Sequence, residues 1–458
     1  MNIKRLLILT GVVLLGLTLV SMWLLFLSGP TTSAHAAGPW YVAPGGSDSN
    51  SCLSTAAPCG TINGAISKAT GGDTIYVATG TYTGTGVEVV LIDKDITLSG
   101  GWDDTFTTQS GTSTIDGEDV RRGIHMNSDL TATVEYFTVQ HGYTDDGNGG
   151  GIYNSGNLTL TNSTISDSFA YFDGYFGHGG GGIYNIGSLN LIKSTVSNNT
   201  ATDGGGGIYA TNGSSTVIVE SQIFANASSN WEGGGIQIHQ GSNLSMSRSW
   251  VIGNAAASND GGGIGVNEGG TIYIENSIIA GNYTDGTGGG LWLSGGKIIN
   301  SHIIGNEANS SGAALAANIE QVEITNTLII SNVGSSGIGS QSGEDTIVLL
   351  SYCDTFGNSP DGTFGVTITR TNCLGTPPED GLDPMMAGGA LPSGVGPDYA
   401  DEWLSYDYRL SVGSPAINKG TPVGAPVTDI EGNPRDAVPD MGAFENFYLH
   451  IYLPLATK

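Results

Sequence analysis

The chain has 458 residues, of which 74 are glycine and 12% are charged, and its 42 acidic residues outnumber 14 basic ones to give a formal net charge of −28. A surface with so few lysines and arginines excludes nucleic acid and anionic lipid as partners, because neutralising phosphates requires basic residues in quantity. Hydrophobic residues still make up 38% of the chain, so we expect a folded protein with a core and many turns.

The N-terminus has the pattern of an export signal. Lys4 and Arg5 precede an apolar run over residues 6–27, and the small-x-small pattern Ala34-His35-Ala36 follows it. We therefore predict a signal peptide over residues 1–36 and an extracellular or cell-surface location. The apolar run is longer than the roughly 7–15 residues of most signals. An uncleaved membrane anchor stays open, and only then would the protein contact a membrane.

The middle of the chain is a repeat. A glycine triplet followed by a branched apolar residue, here called the lead residue, recurs at spacings of 24 to 31 residues. The lead residues are Ile152, Ile183, Ile208, Ile236, Ile264, Leu291 and, in a decayed copy, Leu315. Short alternating runs of β-forming residues lie between them. This pattern predicts a solenoid over residues 74–375 with two or three strands per turn. Alternation places each lead residue inside, together with the residue two positions later (Ile238, Val266 and Leu293).

Two polar columns emerge when the repeats are aligned. The first contains Asn198, Asn226, Asn254, Asn282, Asn306, Asn332 and Asn358, with Asp167 before them. Such a column predicts a ladder of stacked, hydrogen-bonded amides. In the second, Lys193, Glu220 and Arg248 align with Asn276, Asn300 and Asn326. We interpret the charged members as a surface ion-pair stack.

The repeats carry a family resemblance. Their GGGIYN phrase with its downstream asparagine resembles the right-handed parallel β-helix of the pectate-lyase-like superfamily, and is similar to repeats of chlamydial polymorphic outer-membrane proteins. The resemblance implies an all-β right-handed parallel β-helix of about a dozen coils. Residues 41–82 resemble the N-terminal cap and first rung of secreted β-helix proteins. We therefore expect a cap over residues 37–73, with a short amphipathic helix over residues 61–69.

The C-terminal part resembles another known domain. The phrase DYRLSVGSPAINKG at 407–420, followed by DIEGNPR and DMGAFE, is similar to the choice-of-anchor Q domain of secreted bacterial β-helix proteins. This predicts a choice-of-anchor Q-like segment over residues 376–445 and a short tail over residues 446–458.

Four cysteines form two local pairs at opposite ends of the chain. An even number of cysteines outside the cytosol favours disulfides. We expect the bridges Cys52–Cys59 and Cys353–Cys373.

Catalytic phrases are incomplete. Pectate-cleaving members of the superfamily use a calcium-binding aspartate cluster and a basic residue, but residues 150–330 contain only Lys193, Arg248 and Lys297 as basic residues. Asp145-Asp146 and the Gly-His-Gly at 177–179 resemble polygalacturonase-like hydrolases, whose Asn-Thr-Asp and Arg-Ile-Lys phrases are absent. We therefore assign no catalytic residue and no required cofactor.

A metal column is conceivable at the glycine triplets. Asp203, Glu232 and Asp260 each precede a triplet in three successive coils. Calcium could bridge these carboxylates, and the alternative is that they splay into solvent.

Aromatic residues mark the candidate binding surface. The longest coil carries Phe169, Tyr171, Phe172, Tyr175 and Phe176, and the outward position after the lead residue is Tyr153, Tyr184 and Tyr209 on three neighbouring rungs. Stacked, exposed rings could form a platform for sugars or a protein partner. Alternatively, the loop folds over the tyrosines and covers them.

These features favour a non-catalytic, monomeric exported protein. We expect it to act in adhesion or in carbohydrate or matrix binding, with an extracellular polysaccharide or a surface protein as partner and calcium as an optional cofactor. The alternative function is a polysaccharide lyase or glycoside hydrolase.

Overall fold

The computed structural model describes most of the chain after the predicted signal peptide. The described residues are 39–172, 179–230, 232–258, 260–267, 269–318, 320–340, 346–358, 363–364, 366–375 and 381–446. They lie within one compact unit, Gly38–Lys458. No helix in this described part is long and apolar enough to cross a membrane. The predicted signal peptide lies outside it.

The described residues form a parallel β-solenoid with four sheets, and each coil contributes one short strand to most of them. Numbered along the chain, the strands of sheet 1 are β1 Trp40–Val42, β2 Asp73–Ala78, β5 Ile96–Trp102, β8 Thr131–Glu135, β12 Asn157–Thr161, β16 Ser188–Ile192, β20 Ser215–Val219, β24 Asn243–Ser247, β28 Thr271–Glu275, β32 Gly296–Ile299, β36 Val322–Thr325, β39 Thr346–Ser351 and β41 Val366–Thr371. Those of sheet 2 are β3 Gly80–Tyr82, β6 Ser113–Asp116, β9 Phe137–Gln140, β13 Thr164–Ser166, β17 Thr195–Ser197, β21 Gln222–Phe224, β25 Trp250–Ile252, β29 Ile278–Ala280, β33 His302–Ile304 and β37 Leu328–Ile330.

The other two sheets complete each coil. Sheet 3 contains β10 Tyr143–Thr144, β14 Phe169–Ala170, β18 Thr200–Ala201, β22 Ala227–Ser228, β26 Ala255–Ala256, β30 Tyr283–Thr284 and β34 Glu307–Ala308. Sheet 4 contains β4 Glu88–Ile92, β7 Arg122–Met126, β11 Ile152–Asn154, β15 Ile183–Asn185, β19 Ile208–Ala210, β23 Ile236–Ile238, β27 Ile264–Val266, β31 Leu291–Leu293, β35 Leu315–Ala317, β38 Ile338–Gly339 and β40 Thr363–Phe364. Every pairing between named strands is parallel, so the predicted all-β solenoid is confirmed.

The interior follows the alternation predicted from the repeat. The lead residues pair in register from strand to strand of sheet 4, as in Ile152 with Ile183 and Ile264 with Leu291. All seven are fully buried. The residues two positions later, Ile238, Val266 and Leu293, are fully buried too.

The asparagine ladder is present, with one correction of register. Each amide from Asn226 to Asn332 donates to the carboxamide oxygen of the next, as in Asn254 to Asn282 at 3.0 Å. The ladder begins at Asn199, not at Asn198, because Asn199 donates to Asn226 at 3.0 Å. Asn198 instead occupies the neighbouring corner position with φ of 56°, and Asp167 occupies the same position one rung earlier with φ of 51°.

The charged column lies at the corner between sheets 1 and 2. Lys193, Glu220 and Arg248 all adopt left-handed φ values of 47° to 51°. Glu220 lies between the two cations, 3.6 Å from Lys193 Nζ and 2.5 Å from Arg248. The predicted ion-pair stack is therefore confirmed. The bond from Arg248 lowers the pKa of Glu220.

Residues 381–446 fold back on the outer face of sheet 2. The short helix α2, Ala400–Ser405, follows a single 3-10 turn, Pro397–Tyr399, and buries Trp403 against the corner glycines. A Cβ added to Gly281 would lie 2.3 Å from the Trp403 ring, and one added to Gly305 would lie 2.0 Å from it. Both glycines have φ of 61°. Glycine is therefore required there both for the turn and for the approach of the tryptophan.

The predicted helix near the N-terminus is observed as α1, Ile62–Lys68, with Thr61 as its N-cap. It buries Ile62, Ala65 and Ile66 in the same core cluster as the solenoid interior. That this region caps the solenoid stays a prediction.

One of the two expected disulfides is formed. Cys52 and Cys59 are bonded, whereas Cys353 and Cys373 are free thiols on neighbouring rungs. The second predicted bridge is therefore not present in the structure. A hydrogen bond from Cys353 lowers the pKa of Cys373 to about 6.

Candidate functional site

The predicted tyrosines stack, but two of them are not exposed. The ring centroids of Tyr153 and Tyr184 are 5.5 Å apart, and those of Tyr184 and Tyr209 are 5.6 Å apart. Tyr184 is 6% exposed and Tyr209 is 1% exposed. Burial raises the pKa of Tyr184 to about 12. The stack is therefore part of the body of the protein, and its ring faces offer no platform to a ligand.

The glycine-rich loops explain this burial. The loop before each lead residue runs directly against sheet 4, and a Cβ on Gly204 would lie 2.7 Å from the Tyr209 ring. The hydroxyl of Tyr209 is 3.0 Å from His239 Nδ1. The glycines thus let the loops cover the outward residues of sheet 4.

Tyr153, at the other end of the stack, is half-buried and meets a polar cluster. The Arg122 guanidinium carbon lies 5.4 Å from the centre of its ring. Arg122 also donates to Asp146 at 3.1 and 3.2 Å and to the carbonyl oxygen of Gly149 at 2.9 Å. A carboxylate and a backbone carbonyl therefore hold the Arg122 guanidinium in place, and the Arg122 side chain forms part of one wall of a surface cleft.

We call this cleft the Arg122 cleft. It has a volume of about 300 Å³ and is lined by Val87, Val120, Arg121, Arg122, Tyr143, Thr144, Asp145 and Asp146. Burial alone would raise the pKa of Asp146, but hydrogen bonds from Thr144 and the Asn148 amide, together with the charge of Arg122, leave the pKa lowered. Asp146 therefore stays an anion and an acceptor of hydrogen bonds at neutral pH.

An aromatic row runs from the cleft across sheet 3. Tyr143 lines the cleft, Phe169 pairs with it on the next strand with ring centroids 6.1 Å apart, and Tyr171 follows at 6.3 Å from Phe169. Tyr171 is 40% exposed, whereas Phe169 and Tyr143 are partly exposed. We call these three residues the aromatic row. The candidate aromatic residues Phe169 and Tyr171 therefore lie beside a polar cleft.

Other predicted residues are divided between the described and undescribed parts. Phe172 is partly exposed next to Tyr171. Tyr175, Phe176 and the His178 of the Gly-His-Gly motif lie outside the described residues.

The three predicted metal-binding carboxylates do not form one site. Asp203 and Asp260 are buried, and Asp260 accepts from the Thr287 amide at 2.7 Å and its hydroxyl at 2.6 Å. Within the described ranges, no three His, Cys, Asp or Glu side chains are grouped so as to hold a metal ion. The aspartate cluster of the pectate-cleaving enzymes therefore has no counterpart among these residues.

Two features of this region were missed in the sequence. Arg122 precedes the segment in which basic residues were sought, although the Arg121-Arg122 pair stands out in a chain with 14 basic residues. His141 directly follows β9, the strand that pairs with β6 in sheet 2. Its Nδ1 lies 3.2 Å from the carboxylate of Asp116, the last residue of β6. Bonds from Gln140, the Glu118 amide and His141 outweigh the effect of burial and lower the pKa of Asp116. Neither pairing has a sequence motif, because each joins residues of different coils.

The comparisons with known proteins agree with the parallel solenoid. Residues 122–308 match the family model described as "Right handed beta helix region". The fold is a right-handed parallel β-helix. The chain is similar to the crystal structure of pectate lyase Pel9A, with a TM-score of 0.50 and 16% identity over 91% of this chain and 98% of that one.

Two further solved structures are similar over much of the chain. The complex of XylC with xylose has a TM-score of 0.43 and 12% identity, covering 89% of this chain and 98% of that one. The periplasmic alginate epimerase AlgG has a TM-score of 0.33 and 12% identity, covering 66% of this chain and 77% of that one. No curated protein sequence matches the chain. At these identities the likeness extends to the fold alone, and the chemistry must be argued from the site.

Proposed function

We propose that this protein binds an extracellular polysaccharide without cleaving it, through the Arg122 cleft and the aromatic row. The observation that carries the proposal is the position of Tyr171, which is 40% exposed on a row of rings that leads into the cleft. Aromatic rings offer large, rigid contact surfaces at a low entropic cost. The carboxylates of Asp145 and Asp146 supply acceptors for sugar hydroxyls beside these rings.

The charges of the site favour a neutral polysaccharide. The cleft is lined by two arginines and by Asp145 and Asp146, so these four charges sum to zero. The whole chain carries a formal net charge of −28. An acidic polymer such as a uronate would be repelled by this field. A neutral polysaccharide is not repelled by this field and can still form hydrogen bonds with the cleft.

The chemistry of the cleft favours binding over turnover. Arg122 is held by Asp146 and by backbone carbonyls, so we assign its guanidinium a structural role in the cleft wall and not a catalytic one. The alternative, a polysaccharide lyase or glycoside hydrolase, rests on the His141–Asp116 pair, in which the carboxylate would orient the imidazole as a general base.

The proposal includes export and attachment. The signal-like residues 1–36 would direct the chain outside the cell, and residues 376–445, with their resemblance to choice-of-anchor Q domains, would belong to a surface protein that acts in adhesion as a monomer. In this arrangement the aromatic row would hold matrix polysaccharide at the cell surface.

A glycan array with the mature chain tests the proposal when it is run in parallel with assays for reducing ends and for unsaturated products. We expect retention of a neutral polysaccharide without turnover. Release of either product, lost on His141→Ala, would instead establish the enzymatic alternative. Binding to uronate polymers alone would contradict the charge argument.

A further inference from the structure

The outer face of sheet 3 carries two columns of side chains that begin at the aromatic row. The first residues of its strands pair in register, in the order Tyr143, Phe169, Thr200, Ala227, Ala255, Tyr283 and Glu307. By strand alternation the residues two positions later also point outward, and their amides continue the ladder in the order Asp145, Tyr171, Thr202, Ser229, Ala257, Asp285 and Asn309. The residues between the two columns are buried. We call the surface formed by the two columns the sheet 3 strip.

The middle of the sheet 3 strip is uncharged and built from small side chains. Between Phe169 and Tyr283 the two columns consist of Thr200, Ala227 and Ala255 in the first, and of Thr202, Ser229 and Ala257 in the second. All six are at least partly exposed. Because the side chains are small, a long ligand can lie close to the sheet, and because none is charged, the strip matches a neutral ligand.

The two ends of the strip carry the same tripeptide. Tyr-Thr-Asp forms residues 143–145 at β10 and residues 283–285 at β30. In both copies the tyrosine lies in the first column and the aspartate in the second. Tyr143 and Asp145 line the Arg122 cleft, so the second copy repeats part of the cleft chemistry at the far end of the strip.

The far ring, that of Tyr283, is partly exposed and held by polar partners. Its hydroxyl donates to Asp285 and accepts from Asn309 Nδ2 at 2.9 Å. The same Asn309 nitrogen donates to Asp285 at 2.7 Å. The ring is therefore fixed in place before a ligand arrives, which lowers the entropic cost of binding to it.

The C-terminal segment borders this far end. Gly396 donates its amide to the carbonyl oxygen of Gly281 at 2.8 Å. A Cβ on Gly396 would lie 3.8 Å from Tyr283 Cβ and 4.0 Å from Ala255 Cβ. A chain that left the strip towards sheet 2 would meet this segment, so the border favours a ligand that runs along the solenoid axis.

We propose that a linear, extended, neutral polysaccharide lies lengthwise on the sheet 3 strip and contacts two aromatic subsites, the aromatic row and Tyr283. The inference rests on the proposed function and adds the direction and shape of the bound chain. Phe169 and Tyr283 are four strand spacings apart, which is about 19 Å. A chain of β-1,4-linked pyranoses spans this distance in a straight line, whereas an α-1,4-linked glucan coils away from the surface.

Two subsites on one chain make the affinity depend on its length. Once a polysaccharide is held at the aromatic row, its continuation is confined near Tyr283, so the second contact forms at a high effective concentration. An oligosaccharide too short to reach Tyr283 gains nothing from it. The strip therefore predicts a rise in affinity with length that a single subsite would not produce.

Calorimetric titration of the full mature chain with β-1,4-linked gluco-, xylo- and manno-oligosaccharides tests the inference. We expect the hexasaccharide of at least one series to bind at least about tenfold more tightly than its trisaccharide. Tyr283→Ala should weaken hexasaccharide binding at least about fivefold and change trisaccharide binding less than about twofold, since the short chain stays on the aromatic row. Tyr273→Ala, on sheet 1, is the matched control and should leave both affinities unchanged.

A second variant keeps the test valid if Tyr283→Ala fails to fold. Ala227→Arg places a long side chain in the middle of the strip and should weaken binding of the hexasaccharide alone. Equal affinity for the two lengths, or wild-type affinity of Tyr283→Ala for the hexasaccharide, would overturn the inference and leave the proposed function standing. The same conclusion follows if the glycan array retains a neutral polysaccharide but none of the three series binds. Failure of the array to retain any neutral polysaccharide would contradict the proposed function, and the inference with it.

Discussion

The outer face of sheet 2 has two halves that share one interior. In the first half the central column is Thr81, Thr114, Thr138, Thr164 and Thr195, which pair in register and are all at least partly exposed. After Gln222, the second half of the same column consists of Trp250, Ile278, His302 and Leu328. The last three of these are buried beneath residues 381–446.

The difference teaches that the repeat determines the inside of each coil and long-range packing determines the outside. The asparagine ladder continues through both halves. Threonine suits an exposed strand because it is β-branched and polar. Tryptophan, isoleucine and leucine at the same position are tolerated only because another part of the chain covers them.

We call the first half of this face the open half and the second half, which residues 381–446 cover, the covered half. The largest expected effect on stability is on the covered half. Trp403→Ala should lower the free energy of unfolding by about 3–5 kcal/mol, because it leaves a cavity over Gly281 and Gly305. Denaturant unfolding measures the loss, and limited proteolysis should show new cleavage within residues 381–446. The matched change on the open half, Thr138→Ala, should stay within about 0.5 kcal/mol. Equal effects at the two sites would break the comparison.

The covered half should also be acid-sensitive through His302. This ring is fully buried between Tyr408 and Phe444, and neither of its nitrogens has a hydrogen-bond partner among the described residues. Burial, with the charge of Arg435, lowers the pKa of His302 from 6.5 to about 3. The unfolded chain therefore binds this proton more tightly, and the free energy of unfolding falls as pH drops from about 6.5 towards 3.

The size of this effect follows from the width of the pH window. From pH 6.5 to 4.5, wild type should lose about 2–3 kcal/mol more than His302→Leu does. Urea unfolding of both proteins at the two pH values gives the difference. If the free energy of unfolding falls by the same amount in both proteins, His302 is not kept neutral by burial beneath residues 381–446.

The ladder should respond equally in both halves, because it belongs to the shared interior. Asn199→Ala and Asn306→Ala should each cost about 1–3 kcal/mol, since each leaves buried partners unsatisfied. Their losses in denaturant unfolding should agree within about 0.5 kcal/mol. Asn198→Gly, at the exposed corner beside the ladder, is the control and should have little effect. A large loss of stability in Asn198→Gly would instead support Asn198 as a member of the ladder, as the sequence predicted.

The smallest expected effect is at the exposed corner of the open half. Glu220→Gln removes the ion pairs with Lys193 and Arg248, which are partly exposed, and should cost less than about 1 kcal/mol. The loss should disappear in high salt because the pairs are screened. A loss that persists in salt would mean that the stack is more than a surface feature.

Much of the solenoid was accessible from the sequence, because its interior residues repeat at a fixed spacing. The lead residues and the ion-pair stack were placed correctly. The ladder was displaced by one residue at its start, since Asn198 and Asn199 are adjacent and only the backbone distinguishes the corner from the ladder position. Such local alternatives are decided by the dihedral angles.

The site was less accessible, because it depends on contacts between coils and loops. The burial of Tyr184 and Tyr209 depends on where the glycine-rich loops run, which periodicity does not encode. Arg122 acquires its role only when Asp146, on the next coil, folds against it. The burial of Trp403 likewise requires the C-terminal residues to return to sheet 2.

The central claim is that the aromatic row beside the Arg122 cleft binds a neutral polysaccharide, and one paired affinity measurement tests it most directly. Tyr171, which directly follows β14 of sheet 3, is 40% exposed, and Tyr273, on β28 of sheet 1, is 38% exposed, so they are a matched pair at different places on the surface. Using the polysaccharide retained on the array, calorimetric titration should show at least a tenfold loss of affinity, about 1.4 kcal/mol, for Tyr171→Ala and no change for Tyr273→Ala. Unchanged binding by Tyr171→Ala, or an equal loss in both variants, would contradict the account.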